Sequence, residues 1–192
     1  MTGGIAAGKS EALAAFGRLS AATLSSDTVV HELLEDPQVR DQLLERWGEE
    51  VVAAGTVDRG QVGAIVFDST EELAWLESLL HPLVGERVGE WRTALEPGVE
   101  LAVVEVPLLF ETSMEDAFDA TVAVVADDET RAARAGLRGT EMLEARTGRQ
   151  LPQIEKASRA DYVIANDGSL EELERQVSAL TELLRRPSGA PR

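Results

Sequence analysis

The sequence predicts a doubly wound parallel α/β fold, and three observations support this fold class. Residues 99–111 (VELAVVEVPLLFE) and 119–128 (DATVAVVADD) are near-continuous apolar runs, which are typical of strands buried on both faces of a parallel sheet. Helical patterns separate these runs from shorter strands at 21–27 and 160–167, and such alternation is typical of a sheet with helices on both faces. A glycine-rich loop at 3–10 precedes the first helix, as is usual in this fold class.

The elements of the N-terminal half follow from apolar spacing. Residues 10–19 carry apolar side chains at helical intervals, and 28–48 contains two further helical pieces. Residues 53–69 read as a turn followed by a short helix. We therefore expect one short strand, at 21–27, among several helices in this half.

Two helical segments interrupt the alternation of strands and helices, so we predict a single domain with two insertions. The insertions span 56–96 and 130–158, and the core consists of 1–55, 97–129 and 159–184. Inside the first insertion, Pro82 either ends one helix or begins the next at its first turn, where a missing N–H has no cost. The tail at 185–192 is expected to be disordered.

Composition limits the classes of function. The 192 residues include no cysteine, which excludes disulfides and thiolate metal sites. The N-terminus lacks the basic leader of a signal peptide, and no apolar run approaches the ~18 residues of a transmembrane helix, so we predict a cytoplasmic protein. A net charge of −17 argues against nucleic acid or an anionic membrane as the main partner.

Positive charge is concentrated in one part of this acidic chain. Residues 131–159 contain seven Lys or Arg and three Glu, a net charge of +4. This distribution indicates a local anion-binding lobe, although a chance arrangement of helix surface charges remains the alternative. Of the two lysines, Lys9 lies in the N-terminal loop, and we expect Lys156 to be replaceable.

The N-terminal loop fits the pattern G-x-x-x-x-G-K-S and predicts a nucleoside triphosphate site. Gly3 and Gly8 permit backbone angles that turn successive N–H groups toward phosphate oxygens, and the helix that follows adds the positive end of its dipole. Lys9 would reach the β- and γ-phosphates, and the Ser10 hydroxyl would ligate Mg²⁺.

The loop begins too early for the strand that normally precedes it. A parallel sheet of this kind needs a central strand before the loop, and each buried N–H or C=O left unpaired costs on the order of 1–3 kcal/mol. We therefore expect Met1 to be an assigned start inside a longer reading frame, with an apolar strand upstream.

Three acidic residues near predicted strand ends are candidates for chemistry. Asp27 receives a proton from an acceptor hydroxyl, helps to hold Mg²⁺, or does both; alternatively it only caps a helix that starts at Thr28. Glu105 either lies near Mg²⁺, or pairs with an arginine or faces a sheet edge, and Glu111 follows just beyond the same strand.

The two histidines carry less information. His31 is read as structural. His81, next to Pro82, either caps a helix or contacts substrate.

In combination these motifs resemble the dephospho-CoA kinase family over essentially the whole chain. The segments that carry the resemblance are TGGIAAGKS (2–10), SSDTVVHELL (25–34), WG (47–48), GTVDRGQVGAIVF (55–67), LESLLHPLV (76–84), VPLLFE (106–111), the spaced Arg, Glu-Ala-Arg and Gln of 134–150, and ADYVIANDGS (160–169). The HP, PLLFE and ADYVI-N-G segments are, in this order, much more specific than the loop alone.

The resemblance implies a P-loop NTPase-type three-layer fold with a helical CoA-binding lobe at 56–96 and an arginine-rich lid at 130–158. It implies that ATP and dephospho-CoA are the substrates, that Mg²⁺ acts with ATP, and that Asp27 activates the acceptor hydroxyl. The implied catalytic residues are Asp27, Lys9, Arg134 and Arg138. The implied ATP-binding residues are Gly3, Gly4, Ile5, Ala6, Ala7, Gly8, Lys9, Ser10, Glu11 and Asn166, with Ser10 as metal ligand. The implied acceptor-binding residues are Asp27, His81, Leu108, Leu109 and Glu111.

The chain departs from the family pattern at three positions. Ser25 stands where the family's D-A-D motif has its first Asp, Glu11 where a Thr is frequent, and Thr147 where the lid has an apolar residue. None of these changes affects Lys9, Ser10 or Asp27, so we expect an active kinase. Another small-molecule P-loop kinase and a catalytically silent nucleotide-binding regulator are the alternatives.

Overall fold

The computed structural model describes residues 1–53, 55–137 and 150–185. They form two compact units, one of Met1–Ser25 with Leu95–Arg192 and the other of Ser26–Ala94. The predicted lid arginine Arg138, the departure at Thr147 and all of the predicted tail except Arg185 lie outside the described residues.

The strands of the described residues are short, and those of the first unit pair in parallel. Along the chain they are β1 (Thr2–Gly3), β2 (Ala22–Ser25), β3 (Val52–Ala53), β4 (Thr56–Val57), β5 (Ala102–Glu105), β6 (Val122–Val125) and β7 (Tyr162–Ala165). Strand β2 pairs with β5, β1 with β6, and β6 with β7, all in parallel. The prediction of a parallel α/β sheet is confirmed.

Met1 joins the two parallel groups of strands. Its amino group donates to the Val104 carbonyl at 2.7 Å, and the Val106 N–H donates to the Met1 carbonyl at 2.8 Å. Residues 1–3 therefore lie between β5 and β6, which gives the order β2-β5-β1-β6-β7. In this structure Met1 and β1 occupy the central position for which the sequence offered no full-length strand.

The helices follow the predicted pattern except around Pro82 and at some helix ends. They are α1 (Lys9–Arg18), α2 (Ser26–Leu34), α3 (Pro37–Trp47), α4 (Arg59–Asp68), α5 (Thr70–Thr93), α6 (Asp128–Leu137), α7 (Gln153–Arg159) and α8 (Leu170–Leu184), with a 3₁₀ turn at Glu115–Ala117. Pro82 neither ends nor starts a helix, because α5 runs through it. The two short helices expected on either side of Pro82 are one long helix.

The end of β2 also differs from the prediction. The strand stops at Ser25 and α2 begins at Ser26, so the predicted strand end at Asp27 is wrong by two residues. Asp27 lies inside the first turn of α2, and it does not cap a helix that starts at Thr28.

The core of the first unit lies where α1 and α8 cover the sheet. Ala12, Ala15 and Phe16 recur on one face of α1, and Leu173 and Val177 recur on one face of α8. Phe16 and Val177 are fully buried. Helical spacing of apolar side chains thus produces the predicted layer of helices on the sheet.

The second unit is helical apart from a small hairpin. Strands β3 and β4 pair antiparallel, in a segment that the sequence predicted as a turn. Helices α3 and α5 are joined through Glu72, which accepts from the indole of Trp47 at 2.7 Å and from two nitrogens of Arg46 at 2.9 Å. Trp47 and Trp75 meet edge to face with ring centroids 5.0 Å apart.

No helix among the described residues is long and apolar enough to cross a bilayer.

Candidate active site

The loop at 3–10 turns sharply between β1 and α1, and two glycines make the turn possible. Gly3 has φ +157°, and a Cβ at this position would lie 2.2 Å from the Val124 carbonyl oxygen of β6. Gly8 has φ +93°, and a Cβ there would lie 2.0 Å from Nδ2 of Asn166. A side chain at either glycine would therefore displace the strand or the residue that supports the loop.

Lys9 begins α1 and extends back across the loop. Its Nζ donates to the Gly4 carbonyl at 3.0 Å and to the Gly3 carbonyl at 3.3 Å. Gly8, the N-cap of α1, supplies no side chain to bond the first N–H groups of the helix. The head of α1 thus combines an ammonium group with backbone donors, the arrangement that favours an anion.

The residues beside Lys9 differ in their contacts. Ser10 is exposed. Glu11 is also exposed, and its carboxylate pairs with Arg18 at 2.9 Å. Ala6 has φ +59° without being glycine, and the Ala7 N–H closes the turn by donating to the Gly4 carbonyl at 3.2 Å.

Two arginines of α6 contact the loop or its support. Arg134, a predicted site residue, donates from Nη1 to the Asn166 carbonyl at 3.0 Å. Arg131 donates from Nε to the Ile5 carbonyl at 3.0 Å and pairs with Asp128 at 2.9 Å. Sequence reasoning did not include Arg131 among the site residues, although its spacing of three residues from Arg134 on a helix places both on one face.

Asn166 contacts the loop directly. It follows β7, is 6% exposed, and donates from Nδ2 to the Ala7 carbonyl at 2.8 Å. A cleft of about 320 Å³ opens beside it. Its lining residues are Gly8, Glu11, Arg134, Asn166, Gly168, Leu170 and Leu173. The cleft therefore combines apolar walls with polar groups from the loop and α6.

A second cleft of about 380 Å³ opens at Gly4 and Ile5. Arg131 and Gln153 line it, together with neighbouring residues of α6 and of the segment leading into α7. Gln153 bonds both backbone groups of Ala126 through its side-chain amide, at 2.6 and 3.2 Å. A Cβ on Gly4 would lie 3.3 Å from Oε1 of Gln153, so the absence of a side chain lets Gln153 approach the loop.

Glu111 lies in a buried ion pair with Lys156. Lys156 is fully buried, and its Nζ lies 2.8 Å from Oε1 of Glu111 and donates to the Pro107 carbonyl at 2.5 Å. The same Oε1 accepts the Leu151 N–H at 2.8 Å, whereas Oε2 is buried without a hydrogen-bond partner among the described residues. The expectation that Lys156 is replaceable is inconsistent with this environment.

Leu108 and Leu109, which the sequence predicted to bind the acceptor, lie in the same segment and differ in burial. Leu109 is fully buried, whereas Leu108 is partly exposed. Leu109 therefore packs into the protein, and Leu108 is the more accessible of the two.

Glu105 is the last residue of β5 and is 4% exposed. Ser25 lies opposite it in the β2–β5 register. Since β5 lies between β2 and Met1, the expectation that Glu105 faces a sheet edge is wrong. The Glu105 carboxylate partly offsets the effect of burial on the Met1 amino group, and burial remains dominant and lowers the pKa of that group to about 6.

Asp27 and His81 belong to the second unit. Asp27 is exposed in the first turn of α2. His81 is exposed in the interior of α5, so it does not cap a helix and that alternative is excluded.

The amino-acid sequence of the chain is similar to one family of known proteins. The family model for dephospho-CoA kinase matches residues 1–172. A dephospho-CoA kinase of Chlorobaculum tepidum is 37% identical over 193 residues, covering 96% of this chain and 93% of the relative. The dephospho-CoA kinase of Leifsonia xyli is 38% identical, covering 96% of this chain and 97% of the relative.

Two solved structures are also similar. A protein of Thermus thermophilus matches with a TM-score of 0.80 at 34% identity, covering 95% of each chain. A dephospho-CoA kinase of Campylobacter jejuni matches with a TM-score of 0.66 at 24% identity, covering 95% of this chain and 94% of the other, which supports the fold alone.

Proposed function

Because the chain belongs to the dephospho-CoA kinase family, we propose that it transfers the γ-phosphoryl group of ATP to the ribose 3′-hydroxyl of dephospho-CoA. The products are CoA and ADP, and the reaction is the last step of CoA biosynthesis. The observation that carries the proposal is the formed loop at 3–10, in which Lys9 extends across the carbonyls of Gly3 and Gly4 at the head of α1.

The loop and α1 hold the triphosphate of ATP. Backbone N–H groups of the loop other than that of Ala7, together with the helix dipole, bind phosphate oxygens. Lys9 exchanges its carbonyl contacts for the β- and γ-phosphates, where its charge stabilises the transition state. The cleft beside Asn166 accepts the base and ribose between the loop and the apolar side chains of Leu170 and Leu173.

The donor atoms near the loop fit a nucleotide-bound Mg²⁺. This ion keeps most of its ligands from phosphate and water and takes one or two oxygens from the protein. The described residues contain no cluster of three His, Asp or Glu that forms a complete cage, and Ser10 offers an exposed hydroxyl next to Lys9. When bound, the ion neutralises charge on the β- and γ-phosphates, and Ser10 is the residue that we assign to hold it.

The residues that we assign to the acceptor are Asp27, His81, Leu108, Leu109 and Glu111. Asp27 orients the 3′-hydroxyl and takes its proton as the new O–P bond forms. His81 and Leu108 contact dephospho-CoA, Leu109 supports that surface by packing beneath it, and Glu111 fixes the segment through Lys156. The roles of Asp27, His81 and Leu108 rest on the match of each position to the family pattern, whereas those of Leu109 and Glu111 rest on burial and on the ion pair with Lys156.

Arg134 stabilises the charge that shifts during transfer, together with Arg138. The hydrogen bond of Arg134 to the Asn166 carbonyl places its guanidinium beside Gly8. A guanidinium presents a planar pair of donors to phosphate oxygens, which an ammonium lacks. Exclusion of water by the arginine-rich lid limits the hydrolysis of ATP.

A coupled assay of ADP release tests the proposed function. Dephospho-CoA is compared with adenosine, nucleoside monophosphates and shikimate as acceptors. In the presence of ATP we expect rapid ADP release with dephospho-CoA and with none of the other acceptors. A preference for any other acceptor would overturn the assignment. ATP binding without turnover on any acceptor would instead indicate a regulatory protein.

The variant Asp27→Asn tests the assigned base. We expect normal ATP binding and a loss of transfer of roughly 10²–10⁴-fold, the usual contribution of a general base. Near-normal turnover would show that Asp27 does not take the proton.

A further inference from the structure

Asn166 is the only asparagine in the chain, and its backbone is fixed by the sheet. The Asn166 N–H donates to the Val125 carbonyl at 2.8 Å, which continues the pairing of β7 with β6 by one residue. The side chain that follows this strand is therefore held at a defined place beside the loop.

The side chain of Asn166 is engaged by the loop itself. Nδ2 donates to the Ala7 carbonyl at 2.8 Å, and both residues are buried. A Cβ on Gly8 would lie 2.0 Å from the same Nδ2, so the glycine gives the amide the space that it needs. Arg134 supports the arrangement from α6 by donating to the Asn166 carbonyl at 3.0 Å.

We propose that Asn166 is a positioning residue whose side-chain amide latches the phosphate loop, so that it acts on ATP through the phosphates. The hydrogen bond fixes Ala7, and with it the direction of the neighbouring N–H groups that bind phosphate. The amide keeps a second N–H and its oxygen, so a ligand without a base is needed to separate positioning of the loop from contact with the base. The inference rests on the proposed function in that the ligand of the loop is ATP.

Gln176 of α8 provides a matched control. Its side-chain amide accepts from the Ala165 N–H at 3.1 Å and donates to the Ala165 carbonyl at 2.7 Å. Gln176 thus makes the same kind of contact with the residue before Asn166, but it bonds the strand and not the loop. Loss of this amide removes two hydrogen bonds to the strand, which are more exposed than that of Asn166, without changing the loop.

The test compares Asn166→Ala, Asn166→Asp and Gln176→Ala with the unmodified protein. Dissociation constants are measured for Mg·ATP and for magnesium tripolyphosphate, which has the phosphates without the base, and melting temperatures are recorded. We expect Asn166→Ala to weaken the binding of both ligands by the same factor, on the order of tenfold. The Ala7 carbonyl loses its hydrogen-bond partner, and the loop then loses its fixed geometry.

The other two variants refine the result. Asn166→Asp keeps the shape of the side chain but turns a carboxylate toward the Ala7 carbonyl. The binding of both ligands should therefore be weakened at least as much as in Asn166→Ala. If Asn166→Ala does not fold, this variant carries the test. Gln176→Ala lowers the melting temperature and leaves both dissociation constants unchanged.

Two results would overturn the inference. If ATP binding weakens while tripolyphosphate binding does not, Asn166 recognises the base. If the melting temperature falls and neither ligand is affected, Asn166 only stabilises the fold. Failure of the unmodified protein to bind ATP would instead refute the proposed function, and the latch with it, so the two failures are distinguishable.

Discussion

The two lysines of the chain lie in two contrasting regions, the phosphate loop and helix α7. Lys9 is partly buried and donates to the neutral carbonyls of Gly3 and Gly4. Lys156 is fully buried and pairs with the carboxylate of Glu111. The same side chain therefore meets neutral backbone oxygens in one region and an opposite charge in the other.

The difference shows how partner chemistry separates a binding lysine from a structural one. Backbone carbonyls carry only partial charge, so phosphate oxygens would be stronger partners for the Lys9 ammonium than the carbonyls of Gly3 and Gly4. A buried carboxylate compensates the charge of Lys156, and removal of either partner leaves a charge in a medium that solvates it poorly. Lys156 joins α7 to the segment after β5, whereas ligand binding is the role that we propose for Lys9.

The largest expected effect on stability is that of Lys156→Met. The variant leaves Glu111 buried without its partner and removes a donor from the Pro107 carbonyl, and loss of one member of a buried pair costs about 3–5 kcal/mol. Chemical denaturation monitors the free energy of unfolding. Replacement of both partners, Lys156→Met with Glu111→Leu, should recover part of the loss, because no unpaired charge remains.

A double variant no more stable than Lys156→Met alone would contradict the view that charge compensation dominates at this pair. The hydrogen bonds to Leu151 and Pro107 would then be the larger contribution.

The largest expected effect on activity is that of Lys9→Ala. Loss of a charge directed at the transferred group lowers kcat/KM roughly 10²–10³-fold, the usual result of removing one transition-state donor. Steady-state kinetics and thermal melting are measured on the same preparation. If the melting temperature of Lys9→Ala fell as far as that of Lys156→Met, Lys9 would also have a mainly structural role.

A third amine, the amino group of Met1, sharpens the comparison. It is buried, donates to the Val104 carbonyl and has its pKa lowered from 8.0 to about 6, because burial outweighs the effect of Glu105. Between pH 6 and pH 8 the unfolded chain retains a proton that the folded chain has released. Stability of the chain beginning at Met1 should therefore rise with pH across this interval, by roughly 2–3 kcal/mol.

The control for the third prediction is the same chain with an acetylated N-terminus. Acetylation removes the titrating group and keeps an N–H for Val104, so the pH dependence in this interval should be much smaller. An identical pH profile for the two forms would show that the Met1 amine is not the cause.

The smallest expected effect is that of Arg134→Lys. The hydrogen bond to the Asn166 carbonyl can be kept by an ammonium, but the planar pair of donors is lost. We expect kcat to fall by about tenfold, the loss of about 1.4 kcal/mol of transition-state stabilisation, with little change in KM for dephospho-CoA. Equal activity would show that Arg134 is a surface charge.

Much of the fold and of the loop could be predicted from the sequence, since the signals are local. The spacing of Gly3, Gly8, Lys9 and Ser10 defines the loop, and the apolar runs define β5 and β6. The path of α5 through Pro82 could not be predicted, because the packing of a helix outweighs a single missing hydrogen bond.

The environments of Lys156 and Asn166 could not be predicted because they depend on residues distant in the chain. Lys156 pairs across 45 positions with Glu111, and Asn166 reaches Ala7 from the opposite end of the sequence. Neither contact leaves a periodic pattern in the sequence.

Site-resolved labelling with an amine-reactive reagent tests the contrast between the two lysines most directly. The folded protein is treated with and without Mg·ATP, and modified residues are identified by mass spectrometry. We predict that Lys9 is modified without ATP and protected by it, and that Lys156, which is fully buried, reacts only after unfolding. Modification of Lys156 in the folded protein with protection by ATP, or a reactivity of Lys9 that ATP does not change, would contradict the account.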